Sequence, residues 1–88
     1  MRINYEFVKR DIAGETFLVP VGEAASVFEG ILSLNPLGAF IFDRLGECAS
    51  PEALAEEIAA VYDTDPATAL RDVREFFASL REIGIAVE

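Results

Sequence analysis

Short runs of hydrophobic residues, broken at turn-forming positions, occupy the first third of the chain. These runs are rich in Val, Ile, Phe and Thr, and they are interrupted at Ala13-Gly14 and again at Gly22–Ala25. Runs of β-branched and aromatic residues between turn residues are typical of strands, so the pattern predicts three of them. We expect the strands at Phe7–Ile12, Thr16–Val21 and Val27–Leu34.

The third predicted strand has two unlike faces. Alternate positions place Phe28, Leu32 and Leu34 on an apolar face, and Glu29 falls on the opposite, mixed face. On an edge strand, Glu29 fits either a binding surface or a charge that prevents aggregation. Gly30 fits either a close approach of another backbone or a twist or bulge.

From Asn35 onward the sequence predicts helices. Three times a capping residue is followed by proline, which is tolerated at the first helical position because no hydrogen bond is lost there. These pairs are Asn35-Pro36, Ser50-Pro51 and Asp65-Pro66. They predict helices at Pro36–Leu45, Pro51–Tyr62 and Pro66–Ile83, with Gly46 and Gly84 after the first and the last, and then a short extended tail. The expected fold is α+β and winged-helix-like, a three-stranded antiparallel sheet followed by three helices in one domain, residues 1–88.

The third predicted helix has a broad apolar surface. One stripe at helical spacing comprises Leu70, Val73, Phe77 and Leu80, and a second beside it comprises Ala69, Phe76 and Ile83. Either both stripes belong to the core, or the second one, bordered by Asp72 and Ser79, lines a cleft against the third strand. In the latter case an extended peptide could add to the sheet edge with its side chains in that cleft.

Composition narrows the functional classes. The 88 residues include no His and one Cys, and the net charge is −9. Imidazole catalysis and Cys-His metal sites are therefore excluded, and the charge opposes binding to nucleic acid or to anionic membranes. No apolar run approaches the roughly 18 residues of a membrane span. We expect a cytoplasmic protein with Cys48 as a small buried hydrophobic residue.

The second predicted helix carries several acidic residues, Glu52, Glu56, Glu57 and Asp63. Like charges at such spacing usually mark a solvated surface rather than a catalytic pair, so we expect all four side chains to face solvent. No nucleophile has an evident activating partner. The sequence therefore predicts no enzyme and no cofactor.

An ordered series of segments runs from Val8–Glu15 through Leu18–Val21, Phe28–Asn35 and Gly38–Phe40 to Asp72-Val73 and Leu80–Gly84. This series resembles the PqqD-like family, whose members are peptide-recognition domains in the biosynthesis of ribosomally made, modified peptides. The resemblance implies three strands followed by three helices. It also implies binding of a precursor's leader segment as an added strand on the third strand, against the third helix.

The resemblance, combined with the cleft hypothesis, implies a set of peptide-binding residues. Its members are Val27, Phe28, Glu29, Gly30, Ile31, Leu32, Ser33, Ala69, Asp72, Val73, Phe76 and Leu80. The implied partners are the leader peptide and a modifying enzyme, often a radical S-adenosylmethionine enzyme, with this chain acting as a monomeric or weakly dimeric adaptor. Two other hypotheses stay open from the residues alone: a winged-helix transcriptional regulator, which the charge opposes, and a structural dimerisation subunit.

Overall fold

Seven elements make up the fold in the computed structural model, which describes residues 1–88. In chain order they are β1 (Phe7–Ile12), β2 (Glu15–Pro20), α1 (Glu23–Val27), β3 (Leu32–Leu34), α2 (Pro36–Leu45), α3 (Pro51–Tyr62) and α4 (Pro66–Glu82). The predicted α+β class is confirmed, and so is the placement of the three longer helices to within one residue. A fourth helix, α1, interrupts the predicted run of strands.

The strands form one antiparallel sheet in the order β1-β2-β3. A tight turn at Ala13-Gly14, with both residues at positive φ, joins β1 to β2. In the next ladder Thr16 lies opposite Leu34 and Leu18 lies opposite Leu32. Because β3 pairs only with β2, its other side is an open sheet edge.

The prediction of a long third strand at Val27–Leu34 is wrong. The segment begins with one helical turn, α1, in which the Phe28 amide donates to the Ala24 carbonyl at 2.9 Å. Gly30 then adopts a φ of +80°, a conformation outside the extended region, and pairing starts only at Leu32. The helical turn is favoured here because it buries Ala24 and returns Phe28 to the rings of Tyr5 and Phe7.

The three predicted caps are present. Side-chain oxygens of Asn35, Ser50 and Asp65 accept hydrogen bonds from backbone amides three residues ahead, at 2.7, 3.1 and 3.0 Å. Each bond satisfies a donor that has no partner inside its helix. At the other end of α4, Gly84 has a φ of +94°, and the Ile85 amide donates to the Leu80 carbonyl at 2.9 Å. The helix therefore ends at the predicted glycine.

The hydrophobic core lies mainly among the helices. Its buried residues are Ile41, Leu45, Cys48, Leu54, Ala55, Ile58, Ala69 and Val73. Leu18 of β2 is also fully buried. The prediction that Cys48 is buried is confirmed, since it is 4% exposed. None of the helices has the length and hydropathy needed to cross a bilayer.

The two ends of the chain pair with each other. The backbones of Arg2 and Glu88 exchange two hydrogen bonds, of 2.8 and 2.7 Å, around a bridge between Ile3 and Val87. The Asn4 side chain accepts a further bond from the Ala86 amide at 2.9 Å. The extended tail is thus half of a two-stranded ribbon beside the core.

Candidate functional site

A groove runs along helix α4, which faces the edge strand β3 at one end of the groove and helix α2 at the other. It consists of two connected recesses of about 300 and 350 Å³, which share Asn35, Phe76 and Ser79. We call this continuous surface the β3–α4 groove. Its position beside unpaired backbone makes it the strongest candidate for a binding site.

One recess is mostly apolar. It is lined by Leu32, Ser33, Leu34, Asn35, Phe76, Ser79, Leu80 and Ile83. Ile83 is 43% exposed, so part of its aliphatic side chain is accessible in this recess. We call this recess the apolar half of the groove.

The other recess carries negative charge. It is lined by Asn35, Leu37, Gly38, Ile41, Asp72, Glu75, Phe76 and Ser79. Asp72 is half-buried and Glu75 is exposed, and no Lys or Arg lines either recess. We call this recess the acidic half of the groove.

Helix α4 builds both halves from one of its faces. Asp72, Phe76, Ser79 and Ile83 recur at intervals of three or four residues, so they share a face along the groove. Val73 belongs to the core-facing side and is fully buried. The second apolar stripe predicted for this helix is therefore largely a groove face.

The structure divides the predicted peptide-binding residues into three groups. Leu32, Ser33, Asp72, Phe76 and Leu80 line the β3–α4 groove. Ala69 and Val73 are 0% exposed members of the core, so their assignment to the cleft is wrong. The segment Val27–Ile31 does not line the groove and forms no part of β3, so its pairing with a peptide backbone stays a prediction.

Several groove residues escaped the sequence analysis. Glu75 is absent from the predicted peptide-binding residues, and Asn35 is predicted there only as a helix cap. The available signal was helical spacing, since Glu75 lies three residues after Asp72 and one before Phe76.

The absence of a side chain at Gly38 allows close packing at the base of the groove. A β-carbon at this position would lie 3.0 Å from Cε1 of Phe76 and 3.1 Å from Oδ1 of Asn35. Both distances are shorter than ordinary van der Waals contact, so the absence of a side chain lets the Phe76 ring lie against α2. Gly38 lies within the predicted helix Pro36–Leu45, and Phe76 is the side chain that packs against it.

A second polar cluster lies away from the groove. Glu57 accepts hydrogen bonds from Arg44 Nε at 2.8 Å and from Cys48 Sγ at 2.9 Å. The bond from Arg44, followed by that from Cys48, holds the pKa of Glu57 below its usual range. Burial, followed by the hydrogen bond to Glu57, raises the pKa of the Cys48 thiol.

This cluster corrects one prediction about the acidic helix. Glu52, Glu56 and Asp63 are exposed as expected, but Glu57 is half-buried and turns toward Arg44 and Cys48. A raised thiol pKa lowers the thiolate fraction, so this arrangement is structural rather than nucleophilic. No group of His, Cys, Asp and Glu side chains is arranged to hold a metal ion.

An antiparallel sheet with an open edge, facing a groove along the last helix, defines a small α+β domain suited to taking an extended chain. The chain belongs to the PqqD family, described as coenzyme PQQ synthesis protein D, whose profile matches residues 15–86. The resemblance noted from the sequence is thereby confirmed.

A solved structure shares this fold over almost its whole length. It is described as TbiB1 in complex with the TbiA(beta) leader peptide, and it is 28% identical to this chain with a TM-score of 0.69. The alignment covers 93% of this chain and 90% of TbiB1. Among curated proteins, none matches the chain significantly.

Proposed function

We propose that this protein binds the leader segment of a ribosomally made precursor peptide and presents it to a modifying enzyme. The observation that carries the proposal is the open edge of β3 beside the β3–α4 groove. Membership of the PqqD family and the likeness to TbiB1, a protein solved with a leader peptide, support it.

Strand addition fits the geometry of this edge. Alternate residues of an edge strand direct their N–H and C=O groups away from the sheet, where a peptide backbone can pair with them. The side chains of such a peptide would alternate between solvent and the groove. Backbone pairing would supply affinity for any extended chain, and the groove would supply selectivity.

The binding is expected to be moderate in strength. The strand β3 has only three residues, so it can form few intermolecular backbone hydrogen bonds. Ordering a flexible peptide offsets much of the contact energy. A dissociation constant on the order of micromolar is therefore expected.

The adaptor role, as distinct from catalysis, is part of the proposal. The charged groups of the groove are carboxylates without an accompanying base or metal ligand set, an arrangement better suited to recognition than to chemistry. The modifying enzyme would act on the part of the precursor outside the groove. A radical S-adenosylmethionine enzyme is one such partner.

An amide NMR titration tests peptide binding directly. The isotope-labelled chain is titrated with a synthetic leader peptide from a precursor encoded beside it. Shifts concentrated in Leu32–Asn35 and along the groove face of α4 are expected. Shifts confined to other surfaces would contradict the assignment of the site.

A matched pair of variants separates groove binding from general effects of charge. Ile83→Glu places a carboxylate in the apolar half of the groove, and we expect it to weaken binding at least about tenfold, because burying an unpaired charge is costly. Val61→Glu makes the same change at an apolar side chain that is 62% exposed on α3 and lines no part of the groove. Equal effects of the two substitutions would show that the peptide binds elsewhere.

Sedimentation tests the competing use of the same edge. If β3 paired with β3 of a second copy, the wild type would dimerise tightly, and the leader peptide would compete with dimerisation. A monomer that binds the leader supports the adaptor role. A dimer that excludes the leader would support a structural subunit instead.

A further inference from the structure

The acidic half of the β3–α4 groove has negative charge that no ion pair neutralises. Asp72 and Glu75 take part in none of the ion pairs of the structure. The neighbouring Arg74 turns away toward Glu52 on α3, at 3.5 Å. Charge in this recess is therefore available to a ligand.

The remaining polar groups of this recess do not neutralise the carboxylates. The side-chain oxygen of Asn35 already accepts the Gly38 amide, and the Ser79 hydroxyl donates to the Phe76 carbonyl at 2.7 Å. The partly apolar floor, which includes Ile41 and the Phe76 ring, reduces solvent around any group seated there. A cation would be favoured in this recess, whereas a carboxylate would be repelled.

The two halves of the groove lie in a fixed order along α4. Asp72 and Glu75 come from its middle, while Leu80 and Ile83 come from its last turns. Asp72 lies eight residues before Leu80, and Glu75 lies eight residues before Ile83. Eight residues of helix correspond to about 12 Å along its axis. An extended peptide covers this distance in about four residues.

The direction of β3 fixes which end of the peptide meets the acidic half. β3 runs from Leu32 to Leu34 and continues through Asn35 into α2, so the acidic half lies beyond its carboxyl end. Every pairing in this sheet is antiparallel, and an added antiparallel strand would run the opposite way. Its amino-terminal part would then lie over Asp72 and Glu75.

We propose that the acidic half of the groove selects a Lys or Arg side chain of the bound peptide, about four residues before an apolar side chain held in the apolar half. This inference rests on the proposed peptide-binding function and specifies the chemistry of its ligand. The recognised segment is thus a basic residue followed at a short distance by an aliphatic or aromatic anchor. Ion pairing with two partly exposed carboxylates sets the discrimination against a neutral residue at about threefold to tenfold.

Selection from a display library of random extended peptides tests the proposal and does not require the sequence of the precursor. The bait is the full chain, either as wild type or with Asp72→Asn and Glu75→Gln together, which preserve side-chain size. A control bait carries Glu56→Gln and Asp63→Asn, which remove two exposed negative charges outside the groove and break no ion pair. Circular dichroism checks that all three baits are folded.

The expected result is enrichment of Lys or Arg ahead of an apolar residue with the wild-type and control baits, and loss of the basic preference with the groove variant. For one enriched peptide, calorimetry should show that Lys→Gln in the peptide weakens binding by about threefold to tenfold to wild type and has little effect with the groove variant.

The failures of the two proposals are distinguishable. Peptides whose binding requires Ile83 but that show no preference for Lys or Arg would overturn the proposed charge selection. Peptides that carry the basic residue after the apolar anchor would overturn the proposed direction. In both cases peptide binding in the groove would remain supported. Failure to select any peptide whose binding is lost with Ile83→Glu would overturn the peptide-binding function itself.

Discussion

Cε1 of the Phe76 ring lies 3.0 Å from the point where residue 38 would carry a β-carbon. Gly38 belongs to α2 and Phe76 to α4, and both line the acidic half of the groove. Phe76 also lines the apolar half, so the position of its ring shapes both recesses. The close packing of the Phe76 ring on Gly38 therefore affects both halves of the groove.

Gly38→Ala is expected to impair peptide binding more than stability. The added methyl group must displace the Phe76 ring, which we expect to raise the peptide dissociation constant by roughly fivefold. The better helix propensity of Ala, worth about 1 kcal/mol, offsets the cost of repacking, so the free energy of unfolding should change little. Aromatic NMR signals of Phe76 and calorimetry measure the two effects.

The matched control for this substitution is Gly46→Ala. Gly46 has a right-handed conformation at the end of α2, and no atom lies within 4 Å of a β-carbon built there. Binding should remain as in the wild type. If Gly38→Ala also left binding and the Phe76 signals unchanged, the packing between α2 and α4 would be looser than described.

Gly30→Ala should destabilise the fold through the backbone alone. The residue has a φ of +80°, and a β-carbon would meet no atom within 4 Å, so there is no steric clash with neighbouring groups. Placing an L-residue in this left-handed region costs about 1 kcal/mol, measured as a loss in the free energy of unfolding in urea. Gly30→Asn should lose less, because Asn tolerates this conformation better. Equal stability of all three proteins would contradict the turn between α1 and β3.

Asp65 should contribute a pH dependence to the stability of α4. Hydrogen bonds from the Thr68 hydroxyl and then from the Thr68 amide lower the pKa of this cap. Because the folded-state pKa is depressed, the stabilisation is present above the unfolded pKa of about 3.9 and is lost as pH falls through the lower folded value.

Replacement by Asn isolates this contribution. Asn caps helices about as well as Asp, so Asp65→Asn should match the wild type near neutral pH. Toward acid, the wild type should lose more stability than the variant in urea titrations. Parallel pH profiles would show that the cap gives no preferential stabilisation to the carboxylate.

Cys48 should make the fold less stable in alkaline solution. The thiol pKa is raised by burial and then by Glu57, so its stabilising contribution is present below the unfolded pKa of about 8.5 and is lost as pH rises through the folded value. The free energy of unfolding of the wild type should therefore fall more steeply above this pH than that of Cys48→Ala.

The rate of thiol labelling gives a second test of the Cys48 environment. In the native protein, a thiol-specific reagent should react with Cys48 at least about tenfold more slowly than in urea. Rapid native-state labelling would argue against a buried, protonated thiol.

Local signals were sufficient for most of the fold. Each of the three Asx or Ser residues before proline caps a helix in the structure, because the cap depends on the adjacent amides alone. The first two strands were also found, since the turn at Ala13-Gly14 lies directly between them. These elements are fixed by interactions among residues close in sequence.

The error at Val27–Leu34 had a tertiary cause. The alternation around Gly30 resembled a strand, but the burial of Ala24 and the packing of Phe28 on Tyr5 favour a helical turn. Tyr5 is distant in sequence, and no local pattern reveals its ring. The same error extended the candidate site to Val27–Ile31, which lies outside β3 and does not line the groove.

The two apolar stripes predicted for α4 match its core-facing and groove-facing sides only in part. The helical spacing correctly brought Phe76 and Ile83 to one face, yet it also placed Ala69 there, although this residue is fully buried in the core. The identity of the neighbouring helix decides this, because α3 covers the first turns of α4 and leaves the last turns beside β3. Helical periodicity predicts on which side of the helix a residue lies. It does not predict which strand or helix packs against that side.

The ribbon formed by Arg2–Asn4 and Ala86–Glu88 brings the beginning and end of the chain to one place on the surface, and none of these residues lines the groove. Domains whose ends meet in this way can be inserted into a loop of another protein with little disturbance to either partner. A host enzyme carrying this domain as an insertion would hold it by a double tether while the peptide-facing surface remained accessible. The fold is thus compatible with two modes of use, as a separate adaptor or as a module within a larger polypeptide.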